Sequence, residues 1–311
     1  MEVLLPVSIT IFVIGLLGVF GNVNIVWATY RRRDFQSKCV LSLNDLICIG
    51  FEWKNAIGLI SAVENYRIPC FWAISVYLFM ITFQSTMIPC MAFDRLFAIA
   101  WPFKYRVTRT TNYVTLLCAI CSLNGLLFVL LGIVFPENND RIAACNPPLA
   151  FPPLISYLWN KWIISLNILT LLLYIASFAL LHRKRKQIQT ISNSSTRGEH
   201  QHLLLQQKIM RTMSVIIILF VISWFYAHCQ VFFSTLLGLD EQTAEIVMST
   251  AVVPVMICYV QNYYVYLWRS SDYRAAFKEQ LHCMTPSAVG NSRTVATTMS
   301  QVRYLLGSMG I

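Results

Sequence analysis

The sequence predicts an all-α fold, a bundle of seven membrane-spanning helices, on three observations. The composition is 57% hydrophobic and 12% charged over 311 residues, whereas a soluble globular chain carries roughly 25% charged residues. Seven long apolar windows follow one another with short polar or Pro-rich connections. The basic residues fall almost entirely on alternate connections, so the windows read as spans with two distinct sides. This composition excludes an ordinary cytosolic enzyme, a disordered chain and a nucleic-acid binder.

Crossing about 30 Å of hydrocarbon at ~1.5 Å per residue takes about 20 apolar residues. The expected spans are 5–30, 39–63, 70–99, 113–135, 155–181, 212–237 and 244–268. The first has no Lys or Arg before Arg31, so it lacks the basic start of a cleaved signal peptide and reads as a retained span. The second is the least clean, because it holds Asp45, Glu52 and Lys54. Segments 31–38, 95–110, 182–211 and 269–311 together carry 20 of the 24 Lys and Arg. By the positive-inside rule those segments are cytoplasmic and the N-terminus is outside. The net charge of +10 is a topology signal and needs no nucleic acid to explain it. Trp27, Trp159, Trp162 and Trp268 lie near span ends, as interfacial aromatics do. The external segments are short and contain no N-x-Ser/Thr acceptor. The triplet Asn193-Ser194-Ser195 falls on the cytoplasmic side.

Ionisable groups inside a span cost a few kcal/mol on insertion scales, so each is a functional candidate. Asp45 lies mid-span, and Asn22 supplies a polar group at similar depth in the first span. Two readings stand: hydrogen-bonding glue between helices, or a hydrated polar core that changes during switching. Glu52 is seven residues on, two turns further out on the same face, and Lys54 points elsewhere. Glu52 reads either as a pocket residue or as a salt-bridging or snorkelling surface acid. Of the ten cysteines, Cys70 and Cys145 both face the oxidising side and are expected to form a disulfide tethering the Pro-rich loop over the bundle mouth. Cys283, beyond the last span in a basic stretch, is a palmitoylation candidate.

Asp94-Arg95-Leu96 closes the third span, Arg95 falls 25 residues after Cys70, and Trp101-Pro102-Phe103-Lys104-Tyr105 follows. Gly21-Asn22, Leu43-Asn44-Asp45-Leu46, Phe220 with Trp224, and Asn262 with Tyr266 occur in the first, second, sixth and seventh spans. Together these resemble the rhodopsin-like G-protein-coupled receptors over the whole chain in order. The resemblance makes Tyr273, Arg274 and Phe277 part of a short amphipathic eighth helix over 271–282. It divides the chain into a receptor domain, 1–282, and a cytoplasmic tail, 283–311, expected to be disordered. The chain departs from the family where Tyr263, Tyr226 and Leu166 replace prolines, where Gln206 replaces the acid that would lock Arg95, and in having no Trp in the fourth span. With Glu52 in the second span and Asp-Arg-Leu for Asp-Arg-Tyr, it most resembles the nematode serpentine chemoreceptors of class sx.

That resemblance implies a plasma-membrane receptor, located at a sensory cilium if chemosensory. It would bind an extracellular small molecule in the outer half of the bundle and activate a heterotrimeric G protein below. Asp94, Arg95, Tyr174, Trp224, Asn262 and Tyr266 form the implied coupling and switch set. Arg95 pairs with Asp94 at rest and extends toward the G protein with support from Tyr174 and Tyr266. Asn22 and Asp45 form the polar core. Glu52, Tyr77, Ile81, Trp162 and His228 are the pocket candidates, and His228 reads equally as a packing residue. Amine receptors carry an Asp where Tyr77 stands, which disfavours a biogenic amine, and Met256 occupies the position of the retinal-bearing Lys of opsins. A neuropeptide-type receptor of the same fold is the alternative. A seven-span transporter or channel is the more distant one, without the matching broken helices it needs. No metalloprotease, nucleophile-elbow or phosphate-loop motif is present, so no enzyme, cofactor or metal is expected. Partners are the G protein, a small-molecule or peptide ligand and membrane lipid.

Overall fold

A computed structural model describes residues 4–31, 36–61, 64–108, 110–135, 138–142, 144–190 and 197–284. Seven long helical segments make the bundle: α1 (Leu4–Arg31), α2 (Gln36–Ile60), α3 (Arg67–Ala100), α5 (Thr110–Val134), α7 (Pro153–Thr190), α8 (Arg197–Leu236) and the pair α9 (Glu241–Thr250) and α10 (Val252–Arg269). Short helices α4 (Pro102–Val107) and α6 (Pro147–Ala150) occupy two connections, and α11 (Ser271–Met284) follows α10. Among the described residues, five helices are long and apolar enough to cross a membrane: α1, α3, α5, α7 and α8. The second region falls short because of Asp45, Glu52 and Lys54. The seventh falls short because it is cut in two.

That cut has a local cause. Pro254 has no N–H for the carbonyl of Thr250, and its ring crowds that carbonyl. The helix therefore breaks at Ala251, where one continuous span over 244–268 was expected. Conversely, α7 and α8 run well past their expected ends at 181 and 212. The Lys, Arg, Gln and Leu residues there are good helix formers in water, and Arg185 bridges the two extensions by donating to Gln207 Oε1 at 3.2 Å. Helix α8 passes unbroken through Tyr226, which is 61% exposed on its outer surface. Gly238 at φ 59° takes the left-handed conformation that ends α8. Asp240 then caps α9 by accepting from Thr243 N at 3.0 Å, and hydrogen bonds from the Thr243 side chain and then its backbone lower the pKa of the carboxyl.

The helices close into a ring, with α1 against α2 and α10, α10 against α8, α8 against α7, and α7 against α3. Helix α3 is the central post, and α5 packs outside it. Outward faces are as apolar as inward ones, as with Leu16, Leu123, Ile175 and Ile222, so close packing rather than water exclusion must hold the helices together. Gly21 shows how close. A Cβ there would lie 2.7 Å from Tyr263 Cβ, so only glycine lets α1 seat on α10.

One end of the ring is stitched by the disulfide Cys70–Cys145, with Cα atoms 5.5 Å apart. A two-stranded antiparallel sheet adds to it: β1 (Asn65–Tyr66) pairs with β2 (Arg141–Ile142), Asn65 opposite Ile142 and Tyr66 opposite Arg141. The sheet was not foreseen, because two-residue strands carry no alternation to detect. Arg67 N donates to Asp140 O at 3.0 Å and Ile68 N to Asn139 Oδ1 at 3.1 Å, extending the seam onto α3. These contacts hold α6 across that end of the bundle.

Candidate ligand cavity and switch

Below α6 lies a small, partly open cavity lined by side chains of α2, α3, α7, α8 and α10. Its walls include Glu52, Tyr77, Ile81, Trp159, Trp224 and His228, with Pro147 and Pro148 of α6 on the roof side and Val252 and Val255 opposite. Four of the five residues expected to line a pocket therefore converge. Trp162 does not. The inward stripe of α7 runs through Trp159, Ile163, Leu166 and Thr170, each at most 8% exposed, and Trp162 stands off it at 43%. Trp159 takes the place assigned to Trp162, donating from Nε1 to Thr82 Oγ1 at 2.9 Å.

Glu52, 2% exposed, accepts a short hydrogen bond from the Tyr77 hydroxyl and a long one of 3.4 Å from Asn55 Nδ2. The Tyr77 hydroxyl also lies 3.3 Å from that of Tyr259. Lys54 is exposed, pointing away as the helical spacing requires. On the opposite wall, Asn160 Nδ2 donates to the backbone carbonyl of His228 at 3.2 Å, and Asn160 Oδ1 meets His228 Nδ1. The second contact needs hydrogen on Nδ1 and leaves Nε2 as the ring's acceptor. The imidazole stacks on Trp224 with centroids 5.1 Å apart, and Trp224 stacks on Phe220 at 5.5 Å. This aromatic column carries the cavity wall toward the middle of α8.

One level further from the disulfide, Asp45 is fully buried and held by two amides: Gln84 Nε2 reaches Oδ1 at 2.8 Å and Asn262 Nδ2 reaches Oδ2 at 2.9 Å. Asn44 donates to Gln84 Oε1 at 2.9 Å, so α2, α3 and α10 are joined through one network. Asn262, grouped by the resemblance with the switch, sits in this core. Asn22 is close by but donates instead to the carbonyl of Tyr259 at 2.7 Å. Gln84 and Tyr259 were missed. Gln84 had a signal, a polar residue amid Thr82-Phe83-Gln84-Ser85-Thr86 inside a span. Tyr259 had none, being one tyrosine among fourteen.

At the far end of α3, Arg95 pairs with Asp94, the side chains 21% and 14% exposed. Lys184 of α7 donates to the carbonyls of Ile99 at 2.8 Å and Ala100 at 3.0 Å, capping the C-terminus of α3. Tyr174 and Tyr266 are buried on α7 and α10, and Tyr266 stacks on Tyr273 of α11 at 4.7 Å. The helix expected over 271–282 is present as α11. Cys283 falls in its last turn with its side chain outside the described residues, and the tail from 285 lies outside them altogether. Among the described residues no group of His, Cys, Asp and Glu is placed to hold a metal ion.

Comparison with known proteins agrees with this geometry. The chain is similar to the type-1 angiotensin II receptors of Cavia porcellus and Homo sapiens, each 23% identical, and to the type-1 angiotensin II receptor B of Rattus norvegicus at 22%. Each match spans 94% of this chain and 84% of the relative. Residues 15–281 match the model of the serpentine type 7TM GPCR chemoreceptor Srsx. This chain, a multi-pass membrane protein with no enzymatic role, belongs to the Srsx family of G-protein-coupled receptors.

Proposed function

We propose that this receptor is chemosensory: an extracellular small molecule enters the cavity beneath α6, and the receptor then activates a heterotrimeric G protein at the Asp94–Arg95 end. The N-terminus and the disulfide end face outside and the C-terminus faces the cytosol, as the placement of 20 of the 24 basic residues requires. The observation that carries the reading is a cavity whose wall residues Trp224 and Tyr77 lie on α8 and α3, and in this reading those two helices part at their other ends. A ligand that fits the cavity better in one arrangement of those helices shifts the population toward it, by no more than its difference in affinity for the two states.

At rest Arg95 is held by Asp94 on its own helix, and Lys184 rather than an acid of α8 ties α3 to a neighbour. In the active state Arg95 releases Asp94 and reaches into the opened cleft, supported by Tyr174 and Tyr266. A lipid anchor on Cys283, in the last turn of α11, would tie that helix to the inner surface. The similarity to receptors named for angiotensin II supports a peptide-type ligand as a second reading. A small cavity under a roof pinned by the disulfide and the two-stranded sheet favours the smaller molecule.

The test is a second-messenger reporter in cells, screened with small volatiles and with peptides, on wild type and Arg95→Ala at matched surface expression. The proposal expects a response from wild type and background signal from Arg95→Ala. A full response from the variant removes the role given to Arg95.

A further inference from the structure

We infer that the cavity takes a small organic cation, an amine on an apolar body, with the Glu52 carboxylate as its anchor. The inference rests on the reading that this cavity is the ligand site, and it assigns the ligand's chemical class. Among the described residues Glu52 is the one carboxylate on the wall, and no Lys or Arg lines it. Among the described residues Glu52 belongs to no ion pair. Its supply of donors is also thin: one oxygen accepts from Tyr77, the other has only Asn55 at 3.4 Å. Asp45, seven residues earlier, is satisfied by two amides at 2.8 and 2.9 Å and does not line this cavity. A buried carboxylate facing space is best completed by a cationic donor, because the attraction between opposite charges adds to the hydrogen bond and grows as the site becomes drier.

The rest of the wall fixes the rest of the ligand. Ile81, Val252 and Val255 offer only hydrocarbon, and Trp159 and Trp224 add aromatic surface to the lining. An anion meets Glu52 with like charge. A neutral hydrocarbon strips water from the carboxylate and returns nothing. Sequence reading set amines aside because Tyr77 stands where amine receptors carry an acid. The fold supplies that acid from the neighbouring helix, hydrogen-bonded to the Tyr77 hydroxyl itself. When a cation takes the carboxylate, the Tyr77 hydroxyl still has the Tyr259 hydroxyl within 3.3 Å.

The experiment uses the full-length receptor in phosphatidylcholine nanodiscs and follows its unfolding temperature with added probe. The probes are 2-phenylethylamine, its neutral counterpart 2-phenylethanol, and 3-phenylpropanoate. On wild type the amine is expected to bind at least tenfold more tightly than the alcohol, and the acid not at all. Glu52→Gln should bring the amine down to the alcohol, whereas Trp162→Ala, on the outward face, should leave the tenfold difference intact. Equal affinities for amine and alcohol on wild type, an amine affinity unchanged in Glu52→Gln, or no amine binding at millimolar concentration would each overturn the inference. The wild-type comparison needs no variant to fold. If the alcohol or the acid binds and Ala227→Trp, which fills the cavity, abolishes that binding, the cavity remains the ligand site and only the amine class fails. If no probe of any charge binds, the assignment of the cavity goes with it.

Discussion

Asp45 and Glu52 are two buried carboxylates on the same face of α2, two turns apart, and the fold treats them differently. Asp45 receives one amide from α3 and one from α10, and the amide that serves it from α3 is itself positioned by Asn44. Glu52 receives one tyrosine hydroxyl from α3 and only a long 3.4 Å contact from Asn55 on its own helix, and it lines the cavity. A polar group whose partners all come from the chain ties helices together. One whose partners are incomplete is available to something that arrives. Burial alone does not separate the two, since both are at most 2% exposed. The census of donors does.

Removing each acid tests this contrast. Asp45→Ala leaves the amides of Gln84 and Asn262 without their acceptor in an apolar interior, at about 1–3 kcal/mol per orphaned group. Its unfolding temperature in detergent should fall sharply, and less so for Asp45→Asn. Glu52→Gln keeps an acceptor for Tyr77 and should cost under about 1 kcal/mol in the same assay. Comparable losses at the two positions would erase the distinction. Gly21→Ala tests the packing that holds α10, and thus Asn262, against α1 and α2. Its new methyl meets the Cβ of Tyr263, which a rotamer change cannot move, so a loss of about 1–3 kcal/mol is expected. Lys184→Ala has a modest predicted effect. It removes the cap on the α3 carbonyls while leaving Asp94–Arg95 intact, a shift of about 1 kcal/mol. Ligand-independent reporter signal should therefore rise several-fold, and an unchanged basal signal would show that Lys184 does not restrain the resting state.

Much of this was legible in the sequence because the bilayer leaves a coarse signature. Length and apolarity found the seven spans within a few residues at most ends, and the positions of Cys70 and Cys145 anticipated their bond. Where local chemistry competes with apolarity, the spans blurred. Pro254 split the seventh, and the soluble extensions of α7 and α8 are helical without being hydrophobic. Side-chain direction was the other weak point. Trp162 and Trp159 differ by three residues and by facing outward or inward, and a helix apolar on every side gives no moment to tell them apart. Tyr259, Asn160 and Gln84 enter the site through partners on distant segments, a pairing that a single sequence does not contain.

The separation of a ligand end from a coupling end depends on which way the bundle sits in the membrane. An epitope tag appended after Ile311, stained in intact and permeabilised cells, measures this directly. The account predicts staining only after permeabilisation. Staining of intact cells would place Arg95 outside and the cavity inside, and would contradict it.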